Sequence, residues 1–479
     1  LALPDHKTKI VATLGPASES RAQIEALIKA GMAIARLNFS HGDLAYHGRL
    51  IANVRAAALA TGRDVAILAD LPGPKIRIGE LAEERVMLRA GAPFTLTTES
   101  VVGDATRAAV NLPTLPKSVH SGDRLFLNDG NIELEVTQVA GPEIRCRVIV
   151  GGELRSRKGI NLPGIDLHTR AFTDRDREGL AFAIEQGVDA VSQSFVESAA
   201  DVEAVRRAAA DLGHDIFLIA KIERARALER IDEILDASDG IMIARGDLGV
   251  EVPIERTAIL QKELVRKAMQ SGKPVITATQ MLESMIQSPR PTRAEATDVA
   301  NAILDGTDAI MLSGESATGR YPVESVATLA RIATTTEPHR SRIDVWEQMH
   351  EMRENETDDL PSVHDLISQA VEAVLDSTSA AAVVAPSRTG LTARRIARYR
   401  LPVWVASPSP AESTRRQLLF SYGVHPIAVH DEDLDWSTFG RTWIKKEGLT
   451  GRVLVIVQGP SRGNPNINHR MELIELEPG

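Results

Sequence analysis

Cysteine is almost absent. The 479 residues hold one, Cys146, so no disulfide can form within the chain. That fits a reducing compartment. Aromatic residues are scarce at 4%, so Ala, Val, Ile and Leu must fill most of the interior. No apolar run approaches the roughly 20 residues that a membrane span needs. Leu1–His6 lacks the layout of a signal peptide. The expectation is a cytoplasmic protein with no membrane partner. Positive charge is not in excess either. A formal net charge of −10 argues against a general nucleic-acid binder, while leaving room for a local basic pocket. There is no G-x-x-x-x-G-K-[ST] loop, which excludes a P-loop kinase. The histidines show no metal-ligand spacing, and His350-Glu351 reads as a solvated charge pair.

What the chain does have is length, a 43% hydrophobic fraction and a repeated pattern. The length predicts two to four domains. Eight short apolar runs each lead into polar residues. Lys9–Thr13 is the first. Ala33-Ile34-Ala35 leads to Arg36, Asn38, Ser40 and His41, and Val65–Leu68 to Asp70. Ala190-Val191 leads to Ser192-Gln193-Ser194, Phe217–Ala220 to Lys221 and Glu223, and Ile241–Ala244 to Arg245-Gly246-Asp247. Val275-Ile276 leads to Thr277–Gln280, and Ala309–Leu312 to Ser313-Gly314-Glu315. Helices are predicted between them, for example over Arg21–Ala30 (with Ser18 as its cap), Ala199–Asp211, Thr257–Gln270 and Arg293–Leu304. Runs this apolar read as parallel strands buried on both faces. Eight strand–helix units predict an α/β fold with a closed (β/α)₈ barrel, whose chemistry sits at the C-terminal strand ends. A doubly wound open sheet is the alternative.

Two neighbouring runs end in carboxylates, Glu223 and Asp247. Two carboxylates at adjacent strand ends suit one Mg²⁺ or Mn²⁺, a hard cation that keeps water or substrate at its other positions. Lys221 adds a fixed positive charge. Such a site would serve an anion that gains charge during reaction, an enolate or a phosphoryl group. An ion-paired network at the barrel rim is the plainer reading of the same residues.

The spacing breaks between the third and fourth runs. The insertion, residues 71–167, has strand-like runs at Phe94–Thr97, Arg124–Leu127, Ile132–Val136 and Arg145–Val150, with a hairpin turn predicted at Asn128-Asp129-Gly130-Asn131. It predicts a small β domain placed as a lid over the barrel. The barrel then spans 1–70 and 168–342. After a charged, irregular stretch, a last α/β domain takes up 343–479. In it, a strand at Ala381–Ala385 leads through Ser387-Arg388-Thr389-Gly390 into a helix at Thr392–Tyr399. A polar loop entering a helix can bind phosphate through its N–H groups. An ordinary capped turn reads equally well.

Over nearly its whole length the chain resembles the pyruvate kinase family. The resemblance rests on Lys7–Ser18, Ala35–Gly42, Lys158–Gly164, Asp239–Gly249, Thr277–Met285 and Met311–Glu315. It implies phosphoryl transfer from phosphoenolpyruvate to ADP. By that resemblance Glu223 and Asp247 hold Mg²⁺ or Mn²⁺. Lys221 stabilises the moving phosphoryl group and the enolate, and Arg36 grips the substrate phosphate. Gly246, Asp247 and Thr279 cradle the substrate carboxylate, with Ser194 close by. Arg77 and Lys158 meet the nucleotide phosphates, bordered by Asn38 and His41. Thr279 and Ser313 are candidates for protonating the enolate through water. Ser387, Arg388, Thr389, Gly390 and Thr392 stand where family members take a phosphorylated effector, and a homotetramer is implied.

Two departures from that family pattern matter. In Ala69–Ile78, Lys75 stands where potassium-dependent members carry Glu, and Leu71 where they carry Thr. The monovalent-cation region would then comprise Asn38, Ser40, Asp70, Leu71 and Lys75, with Lys75 replacing K⁺. The C-terminal stretch Gly459–Asn468 lacks the Gly-Thr-Thr-Asn or Gly-Ser-Thr-Asn of many bacterial relatives. Two rival readings remain at this level. One is a Mg²⁺-dependent, enolate-forming aldolase or lyase on the same barrel. The other is a sugar-phosphate sensor without catalysis.

Overall fold

The computed structural model describes residues 3–128, 130–167, 170–340, 362–430, 434–459 and 468–476. Asp129 of the predicted hairpin, His350-Glu351, the charged stretch around residue 350 and residues 460–467 of the C-terminal departure lie outside them.

Eight parallel strands close into a barrel: β1 (Lys9–Thr13), β2 (Met32–Asn38), β3 (Ala66–Leu71), β4 (Ala190–Gln193), β5 (Phe217–Ile222), β6 (Gly240–Ala244), β7 (Val275–Ala278) and β8 (Ala309–Leu312). They neighbour one another in chain order, and β8 pairs back onto β1. The open-sheet alternative is thereby excluded. β3 and β4 pair directly, Leu68 with Ala190 and Asp70 with Ser192, although the whole insertion separates them in sequence.

Side chains alternate along each strand. One set faces the helices: Ile10, Ala12, Leu37, Ile67, Leu218 and Ile243 join the large outer core. The other set fills the barrel: Val11, Ile34, Leu68, Ile219, Met242, Ile276 and Met311 form a separate inner cluster. The helices end where the sequence tells them to. Thr292 and Glu295 form a reciprocal cap, and Gly306 closes the same helix in the left-handed conformation. The helix Arg21–Ala30 is capped by Ser20, not by Ser18. Ser18 is buried, and its hydroxyl accepts from Gly15 N instead.

The insertion is richer than its four predicted strands. A six-stranded sheet and a two-stranded pair, Arg85–Leu88 with Gly152–Arg155, enclose a core of Phe94, Leu96, Leu125, Leu134 and Ile144. Its paired strands Arg85–Leu88 and Gly152–Arg155 are only four residues each, too short to stand out in sequence. The C-terminal sheet orders Val424–Ala428, Val405–Ser409, Ala380–Val384, Val453–Gln458 and Arg470–Glu475, with only the last strand antiparallel. The helix after its first strand is Leu391–Ala397 rather than Thr392–Tyr399.

The C-terminal sheet and its helices cover the N-terminal end of the barrel. Phe420 is fully buried in the inner barrel cluster and stacks on Phe217, ring centroids 5.5 Å apart. Arg400 and Asp308 form an interior ion pair at 2.6 Å, and Arg400 Nε also donates to Gly306 O. Asp308 further accepts from the N–H groups of Tyr422 and Val275. Breaking a buried pair strands a charge, so Arg400→Met should cost about 3–5 kcal/mol of stability. A urea titration reads this as a lower midpoint; an unmoved midpoint would show that the pair holds nothing together.

Candidate functional site

The alternation that fills the barrel also builds its mouth. On five of the eight strands the inward position two residues beyond the inner apolar layer is polar: Thr13 above Val11, Arg36 above Ile34, Asp70 above Leu68, Ser192 above Ala190, and Lys221 above Ile219. Chemistry therefore sits at the C-terminal strand ends, as this fold demands.

Asp70 is the hub. Its carboxylate accepts from Arg36 Nε at 2.8 Å and from Ser192 Oγ at 2.8 Å. Arg36 Nη2 reaches the same oxygen as Nε, and Lys221 Nζ stands 3.5 Å from the other. Burial alone would raise the Asp70 pKa. The Lys221 and Arg36 charges, with the hydrogen bonds from Arg36 and Ser192, overcome it and hold the carboxyl below its ordinary value. Lys221 mirrors this: burial works against its charge, but Asp70 and Glu223 raise its pKa. Lys221 Nζ donates to Ser194 Oγ at 2.6 Å and lies 3.4 Å from Glu223 Oε2. Arg36 Nη1 donates to Thr13 Oγ1 at 2.9 Å. One hydrogen on each Nη then remains for a ligand.

Glu223 takes the N–H of Phe195 on Oε1 at 2.7 Å, while its buried Oε2 accepts no hydrogen bond. Burial pushes its pKa up, the nearby Asp247 charge pushes further, and Lys221 opposes both. Asp247 is half-buried in the first turn of the helix Arg245–Glu251, where a carboxylate is favoured. An oxygen of Glu223 without a donor, beside a second carboxylate, is a donor set that fits a hard divalent cation. Among the described residues no group of three or more His, Cys, Asp or Glu converges on a metal position. Water and substrate would have to complete the shell.

Beside these carboxylates, Gly246 N donates to Thr279 Oγ1 at 2.7 Å. Thr279 and Gln280 both hold positive φ, 68° and 55°. Arg245 is spent on Asp298, Gln261 and the Thr279 carbonyl. Ser313 follows β8, and its N–H donates to the buried Glu315, which also accepts from Leu282 N.

A second group gathers on the side facing the insertion. Arg77 bridges to Gly159, and Lys158 O accepts from Ile78 N, which brings Arg77 and Lys158 together. Burial lowers the pKa of His41, and the charges of Arg77, Lys75, Arg36 and Arg175 lower it further. Asn38 Oδ1 accepts from Ser40 N at 3.0 Å. Lys75 is exposed, with Cε lying 3.8 Å from where a Cβ on Gly159 would sit. Leu71 departs from its expected place. It is one residue off the inward register, fully buried in the outer core, and packs towards Phe39 and Gly179. A hydroxyl on that side chain would not reach the mouth.

Far from the mouth, Ser387 Oγ accepts from Gly390 N, and Thr414 Oγ1 donates to Arg388 O. Arg394 donates to Thr389 O, and Thr392 lies in the first turn of the helix that follows. Sequence reasoning missed Thr13 and Ser192, which the period-two alternation could have found. It also missed Phe195, whose contribution is a backbone N–H that residue type does not announce.

Comparison with known proteins gives one answer along the chain. The family model "Pyruvate kinase, barrel domain" matches residues 5–326, and "Pyruvate kinase, alpha/beta domain" matches 365–469. A pyruvate kinase of Thermococcus litoralis is 48% identical over 437 residues, covering 90% of each chain. One of Geobacillus stearothermophilus is 43% identical over 479 residues, covering 98% of this chain and 80% of that protein. The crystal structure of a pyruvate kinase from Cryptosporidium parvum superposes with a TM-score of 0.90 at 34% identity, covering 98% and 96% of the two chains. With both domain models matched and a relative 48% identical over 90% of each chain, the chain belongs to the pyruvate kinase family.

Proposed function

We propose that the chain transfers the phosphoryl group of phosphoenolpyruvate to ADP, giving pyruvate and ATP, at the mouth built on Asp70. The observation that carries this reading is the continuous chain Arg36–Asp70–Lys221–Glu223 beside the Arg245–Glu251 turn. Family membership selects it over the aldolase or lyase that a barrel mouth alone would allow, and over a sensor without catalysis. We assign the barrel to 1–70 and 168–342, the insertion 71–167 to a lid, and 343–479 to regulation.

Phosphoryl transfer asks for positioning and charge neutralisation more than covalent chemistry. The free Nη hydrogens of Arg36 would take the substrate phosphate. Lys221, held charged by Asp70 and Glu223, would neutralise the moving phosphoryl group and then the enolate. A substrate carboxylate would take the N–H groups of Gly246 and Asp247, and the Thr279 hydroxyl, which accepts from Gly246 N and donates to the Ala278 carbonyl, would turn its proton from that carbonyl to the carboxylate. Thr279 or Ser313, through water, would hold the proton that turns the enolate into pyruvate. A divalent ion is part of this family's chemistry. We assign it to Glu223 and Asp247, as Mg²⁺ or Mn²⁺, where it would supply Lewis-acid charge to the phosphoryl oxygens. Arg77 and Lys158, with Asn38 and His41 beside them, would receive the ADP phosphates. We assign the protein to the cytoplasm as a homotetramer; among the described residues no helix is long and apolar enough to cross a membrane.

Asp247→Ala should nearly abolish turnover in a coupled pyruvate assay with unchanged circular dichroism. Lys221→Met should lower kcat by roughly 10²–10³ or more. Near-normal kcat in either would remove the assignment.

Potassium is the finer question. Lys75 contributes, with Arg77, Arg36 and Arg175, to the positive field on His41. A bound K⁺ would add a like charge to that region, which is unfavourable where water is partly excluded. We infer that K⁺ is not required. Initial rates in Na⁺- and K⁺-free buffer at constant ionic strength test this. A rise of about tenfold on adding K⁺, about 1.4 kcal/mol of barrier, would defeat it. Lys75→Glu should lose activity without K⁺ and regain part of it with K⁺.

The loop Ser387–Thr392 is our candidate effector site. Its support is topology. The chain leaves Ala380–Val384 towards one side of the sheet and later returns to its other side, so the loop stands at a switch point, where open α/β sheets take ligands. A sugar phosphate or nucleotide bound there should change phosphoenolpyruvate affinity. Changing Arg388 and Thr389 together to Ala should remove activation and spare basal turnover; activation that survives would put the effector elsewhere.

A further inference from the structure

Phe195 follows Ser194 at the end of β4, and its backbone is unusual. Its φ of 59° lies in the left-handed region, which a bulky side chain rarely enters. The conformation aims its N–H at Glu223 Oε1, 2.7 Å away. Two contacts hold the ring. On one side stands Gly73, two residues past β3, where the chain leaves the barrel for the insertion. A Cβ built on Gly73 would lie 2.7 Å from Phe195 Cδ2, so the ring packs directly on that backbone. The Arg224 guanidinium also sits over the ring, 5.6 Å from its centroid. Arg224 is itself fixed: it donates to Glu197 and, at 2.9 Å, to Glu251. Glu251 closes the same short helix that opens with Gly246 and Asp247. Gly73 is anchored in turn, its N–H donating to the buried Asp176 at 2.9 Å. A cavity of about 210 Å³ is lined by Pro74, Phe195, Arg224 and Arg226 among others.

We propose that Phe195 is a positioning residue for the divalent-metal site: its ring, packed on Gly73 and under Arg224, fixes the N–H that orients Glu223, and thereby ties the base of the insertion to both metal carboxylates. This rests on the assignment of Glu223 and Asp247 to the metal. Movement of the insertion about Gly73 would press on the ring. The ring would pass it to Glu223 through the backbone N–H, and to the Asp247 helix through Arg224 and Glu251. Groups that orient a metal ligand are worth roughly 10–100-fold in affinity when removed.

The test is Mn²⁺ binding to the full chain without substrates, read from the paramagnetic resonance signal of free Mn²⁺. Phe195→Gly suits the left-handed backbone and should fold while releasing the N–H. Its Mn²⁺ affinity should fall by roughly 10–100-fold. In steady state the Mn²⁺ activation constant should rise more than kcat at saturating Mn²⁺ falls. Phe195→Tyr keeps the ring and should restore the parent affinity. Gly73→Ala should weaken Mn²⁺ binding alone yet add little in the Phe195→Gly background, since both act through one contact. Glu223→Gln is the control for the metal assignment. If it binds Mn²⁺ as the parent does, that assignment falls and this proposal with it. If it loses Mn²⁺ while Phe195→Gly keeps the parent affinity, the positioning role alone is overturned. Fully additive effects of Gly73→Ala and Phe195→Gly would overturn the link to the insertion.

Discussion

Asp70 is a carboxylate taken out of water and held ionised by two cations on neighbouring parts of the barrel wall. It is buried, so it would rather be neutral; Lys221 and Arg36 decide otherwise. The dependence is mutual. Lys221 is also buried and keeps its charge because Asp70 and Glu223 are there. Without Asp70, two cations would be left facing each other in a nearly dry mouth, and neither would have a defined direction. The pair Arg36 and Lys221 gains its geometry from this one anion. The remaining carboxylates, Glu223 and Asp247, then outweigh the positive charge. Glu223 Oε2 receives no hydrogen bond. The protein alone leaves the mouth short of positive charge at the point where an anionic substrate would arrive, and a divalent ion on that oxygen would correct the deficit.

The register of the strands places these groups, and this part was legible in the sequence. Apolar runs ending in polar residues mark parallel strands in a barrel, and a period of two sets which residues look inward. Arg36, Asp70 and Lys221 follow from that rule. Applied strictly, it would also have taken in Thr13 and Ser192 and rejected Leu71, whose odd position turns it to the outer core. The insertion was only half legible. Short edge strands such as Arg85–Leu88 alternate exposed and buried residues over too few positions to stand out. Ser18 and Ser20 are equally plausible caps by type; only the path of the chain makes Ser20 the one that meets Gln23 N. Phe195 was invisible for a different reason: its role rests on a dihedral angle and a backbone donor, and a sequence encodes neither directly.

Other parts of the chain stand at both ends of the barrel. The insertion stands at the C-terminal strand ends, where Arg77 adds to the positive charge acting on His41. The C-terminal unit seals the opposite end with Phe420, the Arg400–Asp308 pair and a hydrogen bond from Lys9 Nζ to Val424 O at 2.7 Å. Burial pushes the Lys9 pKa down to about 8, against the opposing charges of Glu337 and Asp308. Its contribution to stability therefore rises with pH between about 8 and its ordinary value, where the unfolded chain still binds the proton.

A route between the two ends runs through one side-chain contact and one strand. Arg394, in the helix that follows the loop Ser387–Gly390, sets its guanidinium over the Phe217 ring at 5.3 Å. Phe217 is the first residue of β5, and Lys221 lies four residues further along the same strand. Contiguity alone does not make coupling. It does restrict the form that coupling could take. A strand hydrogen-bonded on both sides in a closed barrel, with close-packed layers inside and out, neither stretches nor slides by itself. A signal from the C-terminal unit would then have to tilt or turn that unit as a body against the barrel floor, with Phe420 as its pivot. The far end of β5 would answer as a change in the angle at which Lys221 and Glu223 are presented, rather than as a change in which residues are present.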